Sequence, residues 1–267
     1  MTTHTLTLAL AQMRCEKAGI EANLAATTAA IAQATAAGAD ILCLPEGSLT
    51  GYIDPLHYPH DAIALDGPGV VRLLALTCGY SLTLIAGLVE TNPVGPPFIT
   101  QLVARNGRLL GIYRKRTIPA DESHLFTPGP PSGPAATPIF THTAVPFGLA
   151  VCADIDTPAV FADAARAGAR LVFECAAPGL YGPQETRDWR AGHDWWRGEC
   201  HTKPARYARD YGLVIAAATQ AGRTRDEDFP GGGYVFDASG ACLAESADWL
   251  EGLLVARIAI ADDQTAR

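Results

Sequence analysis

The chain has no surplus of basic residues. Its 20 Lys and Arg stand against 28 Asp and Glu, a formal charge of −8. A nucleic-acid partner would need a basic face to neutralise phosphates, so none is expected. The seven cysteines, at positions 15, 43, 78, 152, 175, 200 and 242, are odd in number and contain no Cys-x-x-Cys. That pattern speaks against a disulfide framework and for a reducing compartment, the cytoplasm. There is no uninterrupted apolar run of about 18 residues, so no membrane span is expected. The opening MTTHTLTLALAQ lacks a basic n-region and a small-residue cleavage site, and reads as a strand rather than a signal peptide. No Gly-x-Ser-x-Gly elbow occurs, which disfavours a Ser–His–Asp hydrolase. The GGG at 231–233 precedes a strand rather than a helix, so it is no phosphate loop.

What is present is apolar and periodic. Hydrophobic residues make up 48% and charged residues 18% of the 267 positions, enough to bury a large core. No linker interrupts the pattern, which predicts one domain over 1–267. Short strand-like runs (6–11, 41–44, 81–89, 145–151, 171–175, 213–218, 253–260) alternate with Ala-rich helical runs at 21–37, 70–78 and 159–167. Asn106-Gly107 joins 100–104 to 108–113 as a hairpin, and 233–236 pairs with 241–245 as a second. Thr157-Pro158 reads as a helix start. Residues 116–137 and 178–194 read as loops, and 193–211 as one long helix. The class is α/β, or mixed α+β, with helices covering the strands.

Three polar residues sit where buried strands end: Glu46 after ILCLP, Lys115 after LLGIYR, and Cys152 after FGLAV. If those strands share a sheet edge, the side chains can converge. A free thiol, with its pKa near ~8.5, needs help to become a thiolate. A carboxylate within reach can take its proton as general base. A lysine offsets the carboxylate and can hold an oxyanion. Asp154 and Asp156 would oppose thiolate formation. Each residue alone has a blander reading: an inert core thiol, a cap, a solvated charge.

The three contexts, LPEGSLTGY, YRKRTIPADESHLFTPG and FGLAVCADIDTPAVFADAARAGARLVF, resemble the nitrilase superfamily of carbon–nitrogen hydrolases, in its amidase-like branch. ARYARDYGLVIAAATQAG at 205–222 and GGGYVFDASGACLAE at 231–245 extend the likeness from about Leu6 to Ile260. The resemblance implies a four-layer α-β-β-α sandwich and a Glu46–Lys115–Cys152 triad, with Glu122 as a second glutamate. It implies an oxyanion site at Lys115 and the Ala153 N–H. It also implies a small amide or nitrile substrate, no metal or organic cofactor, and a homodimer or higher homo-oligomer. A nitrile-hydrolysing enzyme and a non-catalytic ligand-binding relative are the alternatives, and acyl transfer to an acceptor other than water stays open.

Members acting on N-carbamoyl acids often carry an arginine soon after the cysteine. Here Ala153-Asp154-Ile155-Asp156-Thr157 has none, so Asp156 favours a neutral or cationic group, unless Arg187 and Arg190 supply positive charge. Tyr52, Tyr181, Trp189 and Trp195 are the candidate pocket walls. Cys175 is a rival nucleophile. His57 and His60 with Asp54 and Asp61 form a loose metal-ligand pattern that the prolines at 55 and 59 disfavour.

Overall fold

A computed structural model describes residues 3–131 and 133–261. The first half contains β1 (Thr3–Gln12), α1 (Ile20–Ala36), β2 (Ile41–Cys43), α2 (Pro68–Leu76), β3 (Thr83–Glu90), β4 (Phe98–Arg105) and β5 (Arg108–Arg114). The second contains β6 (Phe140–His142), β7 (Val145–Val151), α3 (Pro158–Arg166), β8 (Leu171–Ala176), α4 (Trp189–Thr202), α5 (Pro204–Tyr211) and β9 (Val214–Thr219). It ends with β10 (Ala221–Arg223), β11 (Asp228–Pro230), β12 (Gly233–Phe236), β13 (Cys242–Glu245) and β14 (Gly252–Ala261). Two six-stranded sheets result, ordered β14-β1-β2-β3-β4-β5 and β13-β12-β9-β8-β7-β6, and β10-β11 form a separate ribbon.

Side-chain alternation explains the layers. In β1, Leu6, Leu8 and Leu10 enter the core between the sheets, where Phe147, Leu149 and Phe173 meet them. Ala9 and Ala11 point the other way, against Leu24, Ile31 and Ala34 of α1 and Val70 and Leu73 of α2. The strands of the first sheet are therefore apolar on both faces, as a doubly covered sheet requires. α3 and α5 pack on the second sheet, through β7, β9 and β12. The expected α-β-β-α sandwich is the observed fold.

The structure departs from the sequence reading in local ways. The predicted helix over 193–211 is two helices: α4 ends at Thr202 and α5 starts with Pro204 as its first residue. Proline lacks the N–H and crowds the preceding turn, so one continuous helix is unavailable. The strand β6 and the ribbon β10-β11 lie in stretches of only three residues each, too short for a periodicity signal. Asn106 and Gly107 adopt φ of 48° and 76°, as a tight hairpin turn demands. Thr157 stands at the start of α3 but makes no side-chain cap. Its hydroxyl instead meets that of Thr117 at 2.8 Å.

Candidate active site

Glu46 leaves the end of β2 on a tight turn in which Gly47 and Gly51 have φ of 64° and 73°. Buried Asn23 of α1 secures that turn, its amide donating to the Leu49 carbonyl at 3.0 Å. The Glu46 carboxylate is fully buried. Its Oε1 accepts from Lys115 Nζ at 2.9 Å and its Oε2 from the Ala177 N–H at 3.0 Å. Lys115 is equally buried and follows β5, whose end is anchored by Arg114 donating two bonds to Glu90 at 2.8 and 2.6 Å. Cys152 follows β7, half-buried, in a left-handed conformation at φ 46°. Such a backbone is strained for a side chain with a Cβ and turns the thiol out of the strand.

The convergence is not at one sheet edge, as the sequence reading supposed. Glu46 and Lys115 come from the first sheet, Cys152 and Ala177 from the second. The groups meet because the two sheets face each other.

Asp154 corrects a second expectation. Its buried carboxylate accepts from Tyr113 Oη at 2.8 Å, Thr117 N–H at 2.8 Å, Val151 N–H at 3.0 Å and Arg116 N–H at 3.2 Å. Asp154 thus ties the cysteine turn to the segment carrying Lys115. The carboxylates that oppose ionisation of Cys152 are Glu46 and Glu174.

Burial dominates the electrostatics. It pushes the Cys152 thiol well above its ordinary value, Glu46 pushes further, and Lys115 only partly offsets both. The resting sulfur is therefore a thiol. Burial also raises Glu46, against the pull of Lys115. Burial alone would lower Lys115, but the nearby acidic groups, Glu46 foremost, hold it above the usual ammonium range. Lys115 stays charged while its neighbours exchange a proton.

A cleft of about 330 Å3 opens onto Lys115 and Cys152. Tyr52, Glu122, Ala153, Tyr181 and Trp195 line it along with Lys115 and Cys152. Tyr52 donates to Glu122 Oε2 at 2.6 Å and holds its ring 5.5 Å from Lys115 Nζ. Trp189 does not line it. That ring lies in the first turn of α4 with the Arg223 guanidinium 6.0 Å above it. The wall is Trp196 instead, buried, donating to Thr219 Oγ1 at 2.8 Å. The buried face of α4, His193, Trp196 and Cys200, has helical spacing and would have marked Trp196 as inward.

Arg187 and Arg190 are committed elsewhere. Arg187 donates to Asp228 and to the carbonyls of Leu180, Tyr181 and Gly182, pinning the loop. Arg190 covers the Trp249 ring at 5.4 Å. Cys175 is fully buried, 3.4 Å from Cys43 Sγ, and does not line the cleft. His57 pairs with Asp54 at 2.6 Å. Among the described residues a different trio, His201, Cys242 and Glu245, brings its ligand atoms within 4.8 Å of one another. There Arg197 already supplies Glu245 with a counter-charge, at 3.0 and 3.1 Å.

The profile of the carbon-nitrogen hydrolase family matches residues 7–267 of this chain. The chain belongs to that family. Among curated relatives, Hydrolase Rv0480c of Mycobacterium tuberculosis is 31% identical over 192 residues, covering 68% of this chain and 64% of its own length. The chain thus spans under two thirds of that relative. The glutamine-dependent NAD(+) synthetase of Rhodobacter capsulatus is 27% identical over 243 residues, 89% of this chain and 41% of the synthetase. Among solved structures, an amidase of the nitrilase superfamily from Nesterenkonia AN1 superposes with a TM-score of 0.80 at 24% identity, covering 95% of this chain and 90% of the amidase. That likeness bears on the fold: a carbon–nitrogen hydrolase sandwich.

Glu174 belongs to no expected role. It is fully buried on β8, neither carboxylate oxygen has a hydrogen-bond partner, and burial holds its pKa well above 4.5. A group raised in the folded state stabilises the fold below its unfolded pKa, and that contribution is lost as pH rises through the folded value. Glu174→Met, apolar and of similar length, is therefore expected to gain about 1–3 kcal/mol near pH ~8 and little near pH ~4. Urea unfolding at both pH values measures it. An unchanged pH slope would contradict a buried, proton-requiring carboxylate.

Proposed function

We propose that the protein hydrolyses a small amide through a thioester on Cys152. The observation that carries this reading is a cleft lined by Lys115 and by a thiol presented on a strained turn, with Glu46 buried behind them, 2.9 Å from Lys115 Nζ. Glu46 takes the thiol proton as sulfur bonds to the amide carbon. Lys115 and the Ala153 N–H receive the developing oxyanion, which desolvation makes worth far more than in water. Glu46 then gives the proton to the departing nitrogen, the C–N bond breaks, and ammonia or an amine leaves. Water attacks the thioester, Glu46 accepts its proton, and the C–S bond breaks to return the thiol and release the acid. Glu122, through Tyr52, orients Lys115 and the substrate nitrogen.

Family membership supports carbon–nitrogen chemistry. The Nesterenkonia protein of the same fold is an amidase, also seen with acrylamide bound and with the acetamide moiety of fluoroacetamide added to its active-site cysteine. Those compounds recommend short amides over nitriles as the first substrates. Assembly into a homodimer or higher homo-oligomer is part of the same proposal.

A panel of short primary amides and matching nitriles, followed by ammonia release and intact-protein mass spectrometry, tests it. Ammonia together with a transient acyl mass on the Cys152 peptide is expected from amides. Neither signal across the panel, with folded protein, would favour a ligand-binding relative instead.

A further inference from the structure

Five carboxylates line the cleft: Asp121, Glu122, Asp156, Glu199 and Glu227. Among the described residues lining it, Lys115 is the sole cation, and it is spent on Glu46. Two more lysines stand at its walls, and each is shared by two carboxylates. Lys203 bonds both Asp156, at 2.5 Å, and Glu199. Lys17, itself almost buried, bonds Asp226 at 2.8 Å and Glu227 at 3.0 Å. Each trio therefore keeps one net negative charge. Asp121 and Glu122 add theirs, and Glu122 is met by a neutral phenol. The arginines that could have reversed this balance are pinned outside.

The second observation is the aromatic wall. Trp195 and Trp196, their rings 5.8 Å apart, and exposed Tyr181 line the same cavity. Indole and phenol faces attract cations and do nothing comparable for carboxylates. A third is the seat of Glu227. A Cβ placed on Gly179 would meet Glu227 Oε1 at 1.8 Å, so the glycine leaves that carboxylate room to lie over the backbone beside the cleft. Burial raises Glu227 against the pull of Lys17, so a cation brought beside it would favour its charged form.

We propose that the cleft selects amides whose acyl group carries a positive charge, a protonated amine. This rests on the amide-hydrolase reading above and adds a substrate class to it. A carboxylate-bearing acyl group would meet net negative walls and, among the described residues lining the cleft, no unpaired cation. An ammonium would meet aromatic faces and partly compensated carboxylates along one cleft, whose summed negative charge attracts it.

Three primary amides of one chain length separate charge from size: δ-aminovaleramide, caproamide and adipamate. The expected order of kcat/KM is δ-aminovaleramide, then caproamide lower by about tenfold, then adipamate lower again by about tenfold or more. High salt should compress the spread. In the double variant Asp156→Asn, Glu227→Gln the cationic-to-neutral ratio should fall toward one, and because both amides meet the same preparation, any loss of folded enzyme cancels. Equal or better turnover of caproamide in the wild type would overturn the charge preference while leaving the hydrolase intact. If no amide releases ammonia, the hydrolase reading fails separately, and protection of Cys152 from iodoacetamide decides the charge question. Pentylammonium should protect and valerate should not; equal protection overturns the proposal.

Discussion

Cys152→Ala is expected to reduce amide turnover by about ten-thousandfold or more, with no acyl mass on the protein. The size follows from covalent catalysis, since removing the sulfur removes the intermediate and every later step. The half-buried site tolerates the change sterically, so the variant should fold and still bind substrate, which makes it the form in which to trap an amide. Cys175→Ala is the control. Its sulfur is fully buried against Cys43 and held protonated chiefly by burial. Its loss should cost about 1 kcal/mol of stability and leave kcat within about threefold. Stopped-flow ammonia assays and urea titrations separate the two. If Cys175→Ala abolished the adduct and Cys152→Ala did not, the assignment of the nucleophile would be wrong.

Glu46→Gln is expected to cost about a thousandfold in kcat/KM, within the range for loss of a general base. Geometry adds to the chemistry. Glu46 accepts on both oxygens, from Lys115 Nζ and from the Ala177 N–H. A glutamine can offer an oxygen to one of these and must turn its amide toward the other, donor against donor. The buried Lys115 would then lose its counter-charge, a further destabilisation of about 3–5 kcal/mol for breaking a buried pair. Glu46 also sets the acid limb of the pH profile. The base must be ionised to act, and burial holds its pKa above 4.5. Activity should rise with pH along a limb displaced upward from the ordinary carboxylate range. Lys115, held above its usual range, keeps its charge well into alkali. In Glu46→Gln that acid limb should vanish from the residual rate. An identical limb in the variant would assign it to another group.

Much of this was legible in the sequence because it is local. Alternation in Leu6–Ala11 marked a strand, Asn-Gly at 106–107 marked a hairpin, and 145–151 had the observed bounds of β7. The contexts of Glu46, Lys115 and Cys152 named the chemistry, since the residue types needed to move a proton from a thiol stand at the ends of apolar runs. Other features depend on what comes to lie opposite. Trp189 and Trp196 share a helix and differ only in which way each faces. Asp154 looked like an opponent of the thiolate because its four donors, from Tyr113, Arg116, Thr117 and Val151, are brought to it only by folding. Arg187 and Arg190 looked available because their partners at Asp228 and Trp249 lie some 40 to 60 residues along the chain.

The sequence by itself determined the family and, through the resemblance of its motifs, the layered class, and it nominated Glu46, Lys115 and Cys152 as the candidate reacting groups. Each is written in a short stretch whose hydrophobic pattern and polar punctuation are readable without neighbours. The tertiary structure decided that Glu46 and Lys115 reach Cys152 from an opposite sheet. It decided that Asp154 clamps the turn rather than charging it, and that Trp196 rather than Trp189 walls the cleft. It also left the cleft with more negative charge than its lysines neutralise. Charge balance in a cavity is a sum over side chains from many segments, and only the packing of the two sheets selects which of them enter it.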